Sequence, residues 1–150
     1  MAGADGARDA ELPQHVLRWL EAAQRRAAHE LEAALDGETR SVGLRRLRIL
    51  QLIPDAGARQ QELAERALVT KQAMAEAVAA LEADDLVERR PDPRDGRAWL
   101  VVRSAQGRRV CSAMNRSMAA IEKDLAEEVG PERYKVFKAV LVELGAEEIN

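Results

Sequence analysis

The chain has little aromatic and sulfur chemistry to work with. Its 150 residues include one cysteine, two histidines, one tyrosine, one phenylalanine and two tryptophans. A lone thiol, Cys111, excludes an internal disulfide framework. His15 and His29 have no cysteine or histidine partner at ligand spacing, so neither a metal site nor a cofactor is expected. Apolar runs are too short to span a bilayer, and no charged-then-apolar leader precedes a cleavage site. A soluble, cytoplasmic protein without a membrane partner is expected. The sequence also lacks a glycine-rich phosphate loop, a nucleophile elbow and a paired histidine–carboxylate motif, so it does not read as an enzyme.

What is present is mostly alanine, leucine, arginine and glutamate, which favour helix nearly throughout. The length suits one domain with a real core. The net charge of −3 hides a partition. Residues 1–38 carry four basic and eight acidic side chains, residues 39–110 fourteen and ten, and residues 111–150 five and eight. Positive charge is therefore concentrated in the middle, and local potential decides whether phosphates are attracted.

Apolar spacing predicts the elements. Residues 1–10 read as a disordered tail. From about Leu12 to Leu35 one stripe runs through Val16, Leu20, Ala23, Ala27 and Leu31, with Asp36-Gly37 as the stop. Ser41 is placed as the cap of a second helix with the stripe Leu44, Leu47, Leu50 and Ile53, ended by Pro54. Residues 55–58 read as a loop, Gln60 to Ala67 as a short helix, and Leu68-Val69 as a tight turn into a helix capped by Thr70. Two helices joined this closely match a helix-turn-helix. From Leu86 the chain reads as a short strand and a charged turn, and Ala98 to Arg103 returns as the second strand. Ser104 caps a long helix to about Val129, and Gly130-Pro131 leads into a last helix to about Leu144.

The expected fold is mainly α with a small β-wing: a winged helix-turn-helix over residues 39–104, with helical dimerisation segments at 11–38 and 105–150. A helix suits the major groove, and an arginine-tipped arm suits the minor groove, so the layout points to duplex DNA. The terminal helices are amphipathic, and a second copy packed twofold would cover them.

The pattern resembles the MarR (multiple antibiotic resistance regulator) family of winged-helix repressors. The resemblance rests on Glu62-Leu63-Ala64-Glu65, Val69-Thr70-Lys71-Gln72-Ala73, Leu81-Glu82, Leu86-Val87-Glu88-Arg89 and the wing Asp92-Pro93-Arg94-Asp95-Gly96-Arg97, followed by Ser104-Ala105-Gln106-Gly107. It implies a ligand-responsive repressor acting as a homodimer on a near-palindromic operator. It also implies that Asp95 positions Arg97 for the minor groove, a carboxylate fixing a guanidinium two residues away. Gly96 stands where many members have arginine, so Arg94 can share the wing's work. Leu68 stands where glycine is frequent, and the turn's backbone is expected to differ slightly.

Candidate DNA contacts are Gln60, Thr70, Lys71, Gln72, Ala75, Arg94, Asp95 and Arg97. Gln72 can bond adenine, Lys71 guanine or phosphate, and Ala75 a thymine methyl, while Thr70 and the first-turn amides can hold a phosphate. Met74, Ala77, Val78 and Leu81 are the buried stripe of the same helix. Arg40, Arg45, Arg46 and Arg48 can contact DNA flanks or pair with acidic side chains of the terminal helices. His15 and Trp19 can line an effector pocket, or be a solvent-facing histidine and an interface aromatic. Cys111, near Arg108 and Arg109, reads as packing rather than as a redox switch. The rival reading is a winged-helix protein-interaction module without DNA binding.

Overall fold

The computed structural model describes residues 15–149. Among these are seven helices and three strands in the order α1 (Val16–Ala34), α2 (Gly37–Val42), α3 (Leu44–Leu52), β1 (Ala58–Arg59), α4 (Gln60–Arg66), α5 (Lys71–Ala83), β2 (Val87–Asp92), β3 (Asp95–Arg103), α6 (Ala105–Val129) and α7 (Pro131–Ile149). Residues 1–14, including the expected tail and the first residues of the expected first helix, lie outside the described part.

The core of the central module follows the predicted stripes. Leu47, Leu50, Leu63, Met74, Val78 and Leu81 are fully buried and belong to one cluster. Val101 from the sheet joins them, as do Val110, Cys111 and Met114 from α6. The sheet is antiparallel with the order β1-β3-β2.

Three local readings are corrected. Asp36-Gly37 does not stop α1, which ends at Ala34 with Leu35 as its cap. Asp36 instead opens α2, its carboxylate accepting from the Thr39 amide at 2.7 Å. That bond, more than any other cause, holds the Asp36 carboxyl below its usual range. Ser41 is therefore inside α2 rather than a cap. Gly43, with φ of 80°, breaks the chain between α2 and α3. Thirdly, Ala58 is not in a loop but pairs with Val101, adding an edge strand to the sheet. A two-residue strand is too short for alternation to announce it.

The long helix begins as expected, with Ser104 Oγ accepting from the Gly107 amide at 2.9 Å. Gly107 is required for a different reason: a Cβ there would lie 2.0 Å from the Leu86 carbonyl oxygen. That oxygen also accepts from the Ser104 amide, so the sheet and α6 meet backbone to backbone. At the far end Arg26 of α1 bonds Glu128 of α6 at 3.0 Å, and Lys138 of α7 bonds Glu122 of α6 at 2.6 Å. The last helix runs past Leu144 to Ile149, and Val136, Phe137, Val140 and Leu144 on it stay exposed.

Candidate nucleic-acid interface

Helix α5 is capped by Thr70, whose Oγ1 accepts from the Ala73 amide at 3.1 Å. Its hydroxyl hydrogen is left to donate outward. Met74, Val78 and Leu81 are buried beneath, and Ala77 is half-buried beside them. This packing turns Lys71 and Gln72 outward at the first turn, where both are exposed. Gln72 Nε2 donates to Glu76 Oε1 at 3.3 Å, which sets the amide along the helix face. Ala75 is half-buried at the margin of this face.

The turn before α5 takes a left-handed step at Leu68, which is not a glycine. Leu68 adopts φ of 52°, a region that costs an L-residue roughly 1–2 kcal/mol. The Val69 amide still reaches the Ala64 carbonyl at 3.1 Å. The strain falls on the backbone of a residue whose side chain is exposed.

In the wing, β3 begins at Asp95, earlier than the expected Ala98, and the chain turns at Pro93-Arg94. Pro91 pairs with Trp99, yet the next pair is Asp92 with Asp95. Gly96, Arg97 and Ala98 consequently have no residue opposite them and form a bulge, the kind of irregularity that re-aims a side chain. Arg97 projects from this bulge, exposed, with no side-chain partner among the described residues.

The carboxylate of Asp95 does not hold the Arg97 guanidinium, contrary to expectation. Its Oδ1 accepts from the Arg97 backbone amide at 3.2 Å, and its Oδ2 accepts from Arg59 Nη2 at 3.2 Å. A backbone amide two residues on is the nearest donor an aspartate finds in a turn. Asp95 therefore fixes the main chain that carries Arg97 and leaves the guanidinium unpaired.

The residue that sequence reasoning missed is Arg59. Its guanidinium bonds Asp92 Oδ2 through Nε at 2.9 Å and Nη2 at 2.8 Å, while also touching Asp95. Asp92 is fully buried and accepts from the Arg94 amide at 2.9 Å. The Arg94 amide first, and then Arg59, hold the Asp92 carboxyl below its usual range. Arg59 lies 33 positions before Asp92 and directly precedes α4, so the pair locks the wing to the helix-turn-helix. No local pattern announces a contact at that separation. Arg94 itself is 75% exposed and only loosely bonded to Asp92, at 3.4 Å. Gln60 accepts from Arg89 at 3.4 Å, and Arg89 also pairs with Glu82, joining β2 to both helices.

The remaining basic residues divide. Arg40 donates to the Glu32, Ala33 and Leu35 carbonyls at the end of α1, at 3.0, 2.9 and 2.9 Å. Arg46 pairs with Asp84 and the Val42 carbonyl, so its acidic partner is in the central module rather than on a terminal helix. Arg45 and Arg48 are exposed.

Of the sensor candidates, His15 caps α1, its Nδ1 accepting from the Arg18 amide at 3.3 Å. Trp19 lines an open apolar groove of about 890 Å³ with Leu20, Leu125, Val129, Tyr134 and Phe137, between α1, α6 and α7. His15 does not line that groove. Cys111 is buried, and its contact is Arg103 at 3.6 Å rather than Arg108 or Arg109.

Residues 41–98, which span the module from α2 to the wing, match the model of the MarR family. No curated protein sequence matches the chain. Among solved structures, the PcaV transcriptional regulator from Streptomyces coelicolor, in complex with its natural ligand, is 21% identical over 97% of this chain and 98% of its own, with a TM-score of 0.70. The transcriptional repressor CouR bound to a 23-mer DNA duplex is 22% identical over 94% and 99%, with a TM-score of 0.74. Wild-type MarR from E. coli, in its apo form, is 17% identical over 87% and 96%, with a TM-score of 0.68. At these identities the likeness shows a shared fold over most of the chain, and the matched segment contains the helix-turn-helix and the wing as far as residue 98. Residues 41–98 are thus similar to the MarR family, and the fold of the chain is similar to that of these regulators.

Proposed function

We propose that the chain is a sequence-specific DNA-binding transcriptional regulator rather than an enzyme. In this reading it is a cytoplasmic homodimer that represses from a palindromic operator until a small-molecule effector releases it. The observation that carries the reading is Arg97, left unpaired on a bulge whose main chain is pinned by Asp95 and Arg59. A cation presented this way suits the narrow, electronegative minor groove. Lys71, Gln72 and the Thr70 hydroxyl supply the major-groove and phosphate contacts, with Gln60, Ala75 and Arg94 at the margins.

The relatives support the two partners. CouR was solved on a DNA duplex and, from Rhodococcus jostii RHA1, with p-coumaroyl-CoA, while PcaV was solved with its natural ligand. Homodimerisation is supported by the exposed apolar side chains of α1 and α7. Arg40, Arg46 and His15, which have structural partners, are left out of the proposed contacts.

Binding to a labelled duplex from the neighbourhood of the gene, titrated at several salt concentrations, tests the reading. Affinity should fall steeply with salt as counterions are released. Arg97→Ala should weaken binding broadly while base preference is kept. Gln72→Ala should cost roughly 1–3 kcal/mol and relax one position per half-site. A flat salt response, or an Arg97→Ala variant that binds like wild type, would favour a protein-interaction module instead.

A further inference from the structure

We infer that Trp99 is a DNA-backbone contact, its indole packed against the sugar–phosphate strand that separates the two grooves; the inference rests on the DNA-binding reading above. Trp99 is 55% exposed, although it lies on the same strand as the buried Leu100, Val101 and Val102. An exposed indole next to a packed core calls for a reason, because its area favours burial. Its direction follows from the ladder. Trp99 and Val101 are two apart on β3, and Val101 is buried in the core beneath the helices. Arg89, the residue opposite Val101, reaches Glu82 on α5 and Gln60 at the start of α4. Trp99 and its partner Pro91 therefore extend the helix-facing side of the sheet outward, past the edge of the core.

That position has a specific neighbourhood. Trp99 follows directly on the bulge that carries Arg97, two residues away, and Lys71 and Gln72 are the exposed side chains of the first turn of α5. If α5 occupies a major groove and Arg97 the adjacent minor groove, the strand between those grooves must pass between them. Trp99, exposed beside the bulge on the helix-facing side of the sheet, is the side chain we assign to that strand. An indole offers a ring face for deoxyribose and one N–H donor for a phosphate oxygen, and carries no charge to oppose the surrounding cations. Proline opposite it supplies no amide to compete for the phosphate. The contact reads backbone position rather than base identity.

Tryptophan fluorescence and binding selection test this together, using full-length protein and a duplex that wild type binds. Wild-type emission should change on titration with the duplex, and the change should vanish in Trp99→Phe, which keeps Trp19 as an internal reference. Trp99→Ala should bind roughly tenfold to a hundredfold more weakly, as expected for losing a bond to a charged group, with the selected base preferences unchanged. Thermal melting of both variants close to wild type would show that the wing still folds. The inference is overturned if duplex binds while emission stays constant, if the change persists in Trp99→Phe, or if Trp99→Ala binds like wild type. In each of those cases the DNA-binding reading survives; failure of wild type to bind any duplex removes both.

Discussion

The central module and the terminal helices solve the same problem in opposite ways. Between α3 and β3 every predicted stripe finds a partner within the chain: Leu47, Leu50, Leu63, Met74, Val78 and Leu81 have no exposed surface. In α7 the stripe finds none, with Val136 at 64% and Leu144 at 72% exposure, and Val16 and Trp19 of α1 are similarly open. Their composition is comparable, so the difference lies in topology. Helices α4 and α5 and the sheet close around α3 and the first half of α6, whereas the N-terminal part of α1 and all of α7 lie along the second half of α6, and only the end of α1, with Leu31, joins the buried cluster. A continuous apolar surface of this kind marks an association site. The module thus closes its core within the chain, and the terminal helices keep apolar surface open, as the proposed pairing with a second copy requires.

The point where the two regions meet should be the most sensitive to change. At Gly107 an added methyl would collide with the Leu86 backbone, which cannot rotate away as a side chain can. Gly107→Ala should therefore cost about 3 kcal/mol or more and loosen both regions together. Denaturant unfolding followed by circular dichroism would report it. A loss below about 1 kcal/mol would mean that α6 can slide along the sheet and that the two regions are less tightly joined than the geometry indicates.

Removing residues 131–150 should separate the regions instead. With α7 gone, the apolar surface proposed to meet a second copy is lost while the buried cluster of the module is untouched, because no described residue of α7 belongs to it. Sedimentation at micromolar concentration should then show monomers, and operator affinity should drop by roughly a hundredfold, since one half-site supplies only part of the contact. A truncated protein that remains dimeric would place the interface elsewhere.

The same comparison explains what the sequence can disclose. Helical period and capping hydroxyls are local, so α5 with Thr70, α6 with Ser104 and the buried Met74-Val78-Leu81 stripe are legible in the order of residues alone. The wing is legible as two strands and a charged turn, but its bulge is not, because an offset between strands depends on pairing rather than on either strand alone. Arg59 is invisible for the related reason that its partners lie 33 and 36 residues away. Asp36-Gly37 misleads in another way: glycine past a helix and aspartate before one are both valid signals, and the bond to Thr39 decides for the second.

A milder perturbation examines how the module holds its wing. The Asp92 carboxyl lies below its usual range in the folded state, so it binds protons less readily there than in the unfolded chain. Its stabilising effect is present at neutral pH and disappears as pH falls through the lowered value. Acidification from about pH 5 to about pH 2 should therefore cost the wild type stability that Asp92→Asn does not have to lose. Melting curves across that window should converge, the two proteins differing at neutral pH and agreeing in acid. Parallel curves would assign the effect to other carboxylates.

The smallest expected effect is a gain, confined to the module. Leu68 holds φ of 52° while its side chain is 73% exposed, so the side chain gains little from packing there and the backbone carries the cost. Glycine at that position relieves roughly 1–2 kcal/mol of local strain but adds about 0.5–1 kcal/mol of unfolded-state entropy. Leu68→Gly should therefore stabilise by about 0.5–1 kcal/mol, a rise of roughly 1–4 °C in Tm for a chain of this length. Leu68→Ala is the informative companion, since it removes the same exposed apolar surface but keeps the Cβ that creates the strain. If glycine raises Tm and alanine does not, the turn is a strained left-handed step that the surrounding helices impose. Equal gains from both would assign the effect to the leucine side chain. In either case self-association should be unchanged, because the turn lies in the region whose core is already closed.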